Sequence, residues 1–362
     1  MNNLFNWNDY LELNKDLTSL KTKEEAENHW CNVGNKRMRL CNKKQLEVIN
    51  EFGNEIIIYL PYYYYLYCNN LLFDNKIITY KGMRPFYYFM KEENILEKEE
   101  TRHWTHYDSR PLLVNNNEHV KNFDKKYWYP LPYKEIYKNN ILLFEKPLLI
   151  IHNKYGVEWD IKPINYISVH ALRQLFDELY LNFTIVYIRP SSNYYNKGYS
   201  LDSNLIQDFD DYDLINNEYK DKLLTMNDLL NKYSDYNYNQ LLLMLYSNCS
   251  NYISVQGGSN YLISYFFKNI IILHKQGGEL GAGTYDDDGW IKDANNEVNK
   301  NIIICDNDMD ILKNLNIFMK NTNSEKHENE NPFIRVLNEI KMFTKFGKIG
   351  NNRYFIKRKD KL

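Results

Sequence analysis

From residue 147 onward, short apolar runs alternate with amphipathic ones, and no other feature constrains the fold of this chain so tightly. Residues 147–152 form a continuous apolar run ending in a histidine, as expected of a strand buried on both faces of a parallel sheet. Residues 168–181 carry Val169, Leu172, Leu175, Phe176 and Leu179 at helical spacing. Residues 184–188 predict the next strand, which ends in Arg189 and Pro190. After a polar loop, 238–247 reads as a buried helix, 252–255 as a short strand and 261–267 as a helix. Strands over 270–274 and 301–305 follow, the second leading into a helix over 309–319. Strand and helix recurring at βαβ spacing predict an α/β fold with a parallel, doubly wound sheet.

The first half carries a weaker pattern. The first forty residues predict a small helical unit, with Asn8 or Asp9 capping a helix that bears Tyr10, Leu11, Leu13 and Leu17. Thr22 followed by Glu25 is a capping-box pattern leading into Ala26, His29 and Trp30, and Gly34 fits a C-terminal cap. Beyond residue 50, β-rich runs at 55–60 and 76–80 alternate with aromatic stretches such as 85–91 that read as helix. Aromatic loops with Pro111, Pro130 and Pro132 fill 100–140. At the far end, 320–331 reads as a polar linker, followed by a helix near 332–346 and a basic tail. The expected division is 1–45, 46–145, 146–320 and 321–362.

Composition closes off several classes. A chain of 362 residues is long enough for two domains with their own cores. A net charge of −2 argues against general attraction to nucleic acid or an anionic membrane. The 33 tyrosines fit a coding bias, so the run 62–65 needs no functional reading. Five scattered cysteines without zinc-ligand spacing predict reduced thiols and a cytoplasmic protein. No basic-then-apolar leader opens the chain, and no apolar run is long enough to span a bilayer.

The strongest local feature is the strand–turn–helix Tyr252-Ile-Ser-Val-Gln-Gly-Gly-Ser-Asn260. Gly257 and Gly258 let backbone approach a ligand closely, and the N–H groups of the following helix suit a pyrophosphate. Gln256, Ser259 and Asn260 add side-chain hydrogen bonds. A tight βα turn without a ligand reads equally well from the turn alone. The strand after it also ends in a Gly-rich loop, Lys275-Gln-Gly-Gly-Glu279, so two adjacent loops form a crevice of the kind where open α/β sheets bind ligands. Glu279 is placed there as an acceptor for ribose hydroxyls.

These segments, with Asn239-Gln240 upstream and Gly278-Glu279-Leu280 downstream, resemble the donor-binding half of GT-B-type glycosyltransferases. More narrowly, they are similar to a group of glycosyltransferases found in large DNA viruses and some bacteria. Pro147-Leu-Leu-Ile-Ile-His-Asn-Lys-Tyr155 with Glu158-Trp159 is similar to the opening of that half, and Tyr187-Ile-Arg-Pro190 falls where its pattern wants it. Tyr10-Leu-Glu-Leu-Asn-Lys-Asp-Leu17, His29-Trp30, Gly34 and Arg39 resemble a short module attached to many glycosyltransferases, with Met38 in place of its final glycine.

The resemblance implies two Rossmann-like domains of GT-B type behind a small N-terminal helical module. It implies sugar transfer from a nucleoside-diphosphate sugar to a glycan or glycoprotein hydroxyl, with no metal and no cofactor beyond the donor. Arg189, with Lys275 second, is the cation implied for the leaving diphosphate, and Asn153 and Lys154 line the same cleft. A general base for the acceptor is sought in Arg102-His-Trp-Thr-His-Tyr-Asp108, through His103, His106 and Asp108; the same segment also reads as a metal fragment or an aromatic loop. Asp306 and Asp308 form an Asp-x-Asp pair that suits a divalent metal, yet its late position fits Asp306 as a helix cap, which explains it without any metal. The competing functional class is a non-catalytic carbohydrate-binding or virion surface protein that retains the fold.

Overall fold

The computed structural model describes residues 5–103, 126–157, 162–200, 202–203, 208–281, 283–286, 289–297 and 299–329. Its main element is a six-stranded parallel sheet. Two further strands, β1 (Ile77–Tyr80) and β2 (Ile95–Lys98), pair in parallel on their own. The main sheet contains β3 (Leu148–His152), β4 (Thr184–Ile188), β5 (Leu224–Thr225), β6 (Asn251–Val255), β7 (Asn269–Leu273) and β8 (Asn301–Cys305). Their order is β5-β4-β3-β6-β7-β8. The chain therefore winds outward from β3 through β4 to β5, returns beside β3 at β6, and winds the other way to β8. That is the doubly wound nucleotide-binding order, with one switch point between β3 and β6. The register there sets Leu149 beside Asn251 and His152 beside Ser254.

Each element follows from local chemistry. β3, β6 and β7 are buried at every residue, which matches their near-continuous apolar runs. Ser168 caps the helix Val169–Leu179 by accepting from the Ala171 N–H, and Ala171, Leu172, Leu175, Phe176 and Leu179 form its buried stripe. Asn237 caps Tyr238–Ser247, a helix apolar on nearly all sides in which every residue but Gln240 is buried. One core runs unbroken from Leu13 and the aromatic 56–66 segment to Tyr252, Ile270 and Trp290.

The N-terminal module matches its expected outline with corrected caps. Thr22 and Glu25 form the capping box of Lys23–His29. Asn6, rather than Asn8 or Asp9, caps Trp7–Leu13, because its side-chain oxygen accepts from both of their N–H groups. Gly34 is no C-terminal cap: it is helical, and the left-handed residue is Met38 at φ 51°. A glycine is needed at 34 because a Cβ there would collide with the Tyr10 hydroxyl. That hydroxyl bonds His29 Nδ1 at 2.7 Å, while Arg39 holds both Asp16 oxygens at 2.7 Å. The Asn14 amide donates to the Tyr10 and Leu40 carbonyls and accepts from Arg39. Tyr10, Asn14, Asp16, His29 and Arg39 thus fasten the first forty residues together.

Residues 55–60, expected as a strand, are helical instead: a wide turn over Glu55–Tyr59 runs into the helix Leu60–Cys68. The segment is buried, so surrounding contacts override the β preference of Ile56, Ile57 and Ile58. Glu55 anchors it, ion-paired at 2.7 Å with a fully buried Arg102 and accepting from Thr79 and Tyr87. The tyrosine run is structural: Tyr62, Tyr63 and Tyr65 donate to the carbonyls of Met38, Gln45 and Arg37. Of the helix expected at 85–91, only a short turn over Arg84–Tyr87 forms.

Residues 1–315 make one unit and Asn316–Leu362 a second. The helix expected at 309–319 spans Asp308–Asn329, so 320–329, read as linker, are helical. The helix expected at 332–346 and the basic tail lie outside the described residues. All five cysteines are free, and no described helix is long and apolar enough to cross a membrane.

Candidate functional site

Polar side chains gather at the carboxyl ends of the central strands. His152 closes β3, Ser254 lies near the end of β6, and His274 follows β7; all three are buried. Beyond them, three loops are tied by one hydrogen-bond network. Asn165, from the loop after β3, donates to Gln256 Oε1 at 3.3 Å and to the Gln276 carbonyl at 2.7 Å. Its own oxygen accepts from the Lys275 and Gln276 N–H groups. Gln256, after β6, donates to Glu279, which also faces His274 Nε2 at 3.2 Å and the Tyr261 hydroxyl at 3.3 Å. Burial alone would raise the Glu279 carboxyl, but the His274 bond, the backbone and Gln256 outweigh it and hold it below the usual range. Glu279 is therefore an ionised, enclosed carboxylate at the switch-point edge.

The two glycines have different duties. Gly257 has φ 130°, a conformation that favours glycine, and it caps the helix Gly258–Ile263. This helix begins earlier than the expected 261–267. A Cβ on Gly258 would lie 3.0 Å from the Gly53 nitrogen and 3.2 Å from its Cα. Gly258 thus allows the backbone of the Phe52–Asn54 turn to lie against it, so close chain packing explains this glycine. Ser259 is half-buried, whereas Asn260 is 1% exposed and neither of its amide atoms has a hydrogen-bond partner.

The expected cations are both engaged. Arg189 grips Asp211 with two bonds of 2.8 and 2.9 Å; the carboxylate is Asp211 rather than Asp208 or Asp210. Tyr187 donates to the same carboxylate at 2.7 Å. Lys275 donates to the Tyr166 carbonyl at 2.7 Å and lies 3.1 Å from Asp308. Asn153 is buried and spends its amide on Ile167 and on the Lys154 N–H, so it fixes the loop after β3. Lys154 is half-buried beside it. Burial, reinforced by the Lys154 charge, pushes the His152 imidazole down to about 3, which keeps it neutral.

Asn307, not Asp306, caps the last helix, accepting from the Asp310 N–H at 3.0 Å. Asp308 turns to Lys275 and the Ser168 N–H. Among the described residues no three His, Cys, Asp or Glu side chains converge as a metal group. His103 is exposed; His106 and Asp108 lie outside the described residues. The histidine–carboxylate pair at the sheet edge is His274 with Glu279. Sequence reasoning named only its carboxylate, although a usable signal exists: β3 and the β7 run both end an apolar stretch in histidine. An open groove of about 520 Å³ lined by Asn196, Lys197, Asn231 and Asp235, among others, shares none of these residues.

No protein-family model matches the chain, and no curated protein matches it. Among solved structures, the ADP-heptose LPS heptosyltransferase II of E. coli matches at 11% identity and a TM-score of 0.33, over 54% of this chain and 55% of that one. The wall teichoic acid polymerase TagF matches at 14% identity and a TM-score of 0.28, over 68% of this chain and 49% of that one. The chain spans about half the length of the solved structures it matches. At these scores neither likeness bears on activity.

Proposed function

We propose that the chain is a glycosyltransferase that binds a nucleoside-diphosphate sugar at the switch point between β3 and β6 and passes the sugar to a glycan or protein hydroxyl. One observation carries this reading: a doubly wound sheet whose loops after β3, β6 and β7 are locked together around a buried, ionised Glu279. Residues 146–320 form the donor side, with Gln256 and Gly257 at the turn and Ser259 beside it. Residues 46–145 form the acceptor side, behind the helical module 1–45. Arg189 and Lys275 border the edge as the cations for the leaving diphosphate, which then exchanges with Asp211 or Asp308 for them. The general base is assigned to the segment of His103, His106 and Asp108, while His274 positions Glu279. The reaction is metal-independent, with the two aspartates of 306–308 serving structure.

A second reading, a carbohydrate-binding protein without turnover, is favoured by one fact: both expected cations are already matched by carboxylates. Turnover separates the two. The full chain is incubated with UDP-, GDP-, ADP- and dTDP-sugars, with and without EDTA, and release of nucleoside diphosphate is followed. Release that EDTA leaves unchanged is the expected result. Binding without release selects the second reading, and the absence of both sinks the nucleotide-sugar proposal.

A further inference from the structure

Five buried side-chain atoms on the segments before and after Glu279 have no hydrogen-bond partner: Oδ1 and Nδ2 of Asn260, Oγ1 of Thr284, the hydroxyl of Tyr285 and Nε1 of Trp290. Their residues are at most 6% exposed. Native interiors leave few such groups, and each calls for an explanation such as a missing ligand or water. Ring contacts and backbone bonds link their residues to Glu279 and its neighbours. Asn260, on the first turn after Gly257, lies beside the Tyr285 hydroxyl. Thr284 and Tyr285 belong to the turn after Glu279, where the Thr284 N–H donates to the Glu279 carbonyl at 3.0 Å. The Tyr285 ring lies 6.0 Å from that of His274. Trp290 stands edge-on to Tyr261 at 5.3 Å, and the Tyr261 hydroxyl reaches Glu279.

The chemistry of this patch selects its occupant. An amide, two hydroxyls and an indole N–H offer donors and acceptors in mixture, beside aromatic rings. A phosphate needs donors and positive charge, and the charge that bears on the Tyr285 hydroxyl is the Glu279 carboxylate. A neutral ring with several hydroxyls satisfies both kinds of partner at once and packs against aromatic edges. We propose that Asn260, Thr284, Tyr285 and Trp290 form an enclosed subsite for a neutral polyhydroxylated ring, beside Glu279. The ring is the ribose or the transferred sugar of the donor, so this inference rests on the glycosyltransferase reading for its source. Asn260 then serves the ring and not the diphosphate.

Tyr285→Phe and Thr284→Val test it, since each removes one unpartnered polar atom and keeps the side chain's shape. The full-length protein and both variants are titrated calorimetrically with nucleotide sugars, the matching nucleoside diphosphates, inorganic pyrophosphate and free monosaccharides. Tyr285→Phe is expected to weaken ring-bearing ligands about tenfold and to leave pyrophosphate unchanged. A loss shared by nucleoside diphosphates supports ribose as the occupant; a loss confined to nucleotide sugars supports the transferred sugar. Unchanged affinity of both variants for every ring-bearing ligand overturns the inference and leaves the patch to buried water. An equal loss for pyrophosphate also overturns it, because the site is then an anion site. If nucleotide sugars fail to bind but a free monosaccharide binds in a Tyr285-dependent way, the glycosyltransferase reading fails and the subsite stands.

Discussion

Asn14 and Asn260 are both buried asparagines, 0% and 1% exposed, and they use their amides in opposite ways. Asn14 spends its donors on two carbonyls and its oxygen on Arg39, which welds the N-terminal module together. Asn260 spends nothing. A satisfied buried network specifies structure, whereas an unsatisfied one in a crevice marks a place completed by something else. The same contrast separates Glu55, enclosed by Arg102, Thr79 and Tyr87, from the patch around Tyr285 and Trp290.

The largest effect expected from breaking this contrast is at Arg102. Arg102→Met leaves the Glu55 carboxylate buried and uncompensated, at a cost of about 3–5 kcal/mol in chemical unfolding. Asn14→Ala removes the side-chain bonds to the Tyr10 and Leu40 carbonyls and to Arg39, and costs about 2–3 kcal/mol in the same measurement. A loss below about 0.5 kcal/mol at either site would remove the claim that these networks hold the first half together.

His152 gives a pH-dependent test at the switch point. Unfolded, a histidine titrates near about 6.5; folded, His152 stays neutral down to about 3. Below about 6.5 the unfolded chain therefore gains a proton that the folded chain refuses. The contribution is intact above that pH and is lost as pH falls toward about 3, at roughly 1.4 kcal/mol per unit. Unfolding of wild type and His152→Gln at pH 7 and pH 5 should show the variant losing about 2 kcal/mol less across that interval. Equal losses would mean that the imidazole is not held neutral. Asn260→Ala is the smallest effect on stability, under about 1 kcal/mol, because no hydrogen bond is broken. Its consequence should appear in weakened binding of nucleotide sugars.

Much of the main sheet was legible in the sequence. Runs such as 184–188 and 301–305 became β4 and β8 because long apolar stretches between turn residues have few alternatives in an α/β chain. β5 escaped notice, since two residues carry no period. Residues 55–60 misled for a physical reason: three isoleucines favour a strand, whereas the segment packs as a buried helix that Glu55 ties to the distant Arg102 and Tyr87. The site was legible in part. Glu279, Gln256 and Asn260 were marked by their neighbouring glycines, and the structure brings all three to one edge. Tyr285, Trp290 and His274 were not, because their convergence depends on how the loop after β7 folds back. Gly258 looked like a ligand contact, and its neighbour is Gly53, about 200 residues away in sequence.

Hydrogen–deuterium exchange of the full chain, with and without a saturating nucleotide sugar, tests the central claim most directly because it reports where the ligand sits. Slowed exchange in the loops around Asn165, Gln256–Asn260 and His274–Tyr285 is the predicted result. Protection confined to the groove lined by Asn196, Asn231 and Asp235, with those loops unchanged, would contradict it.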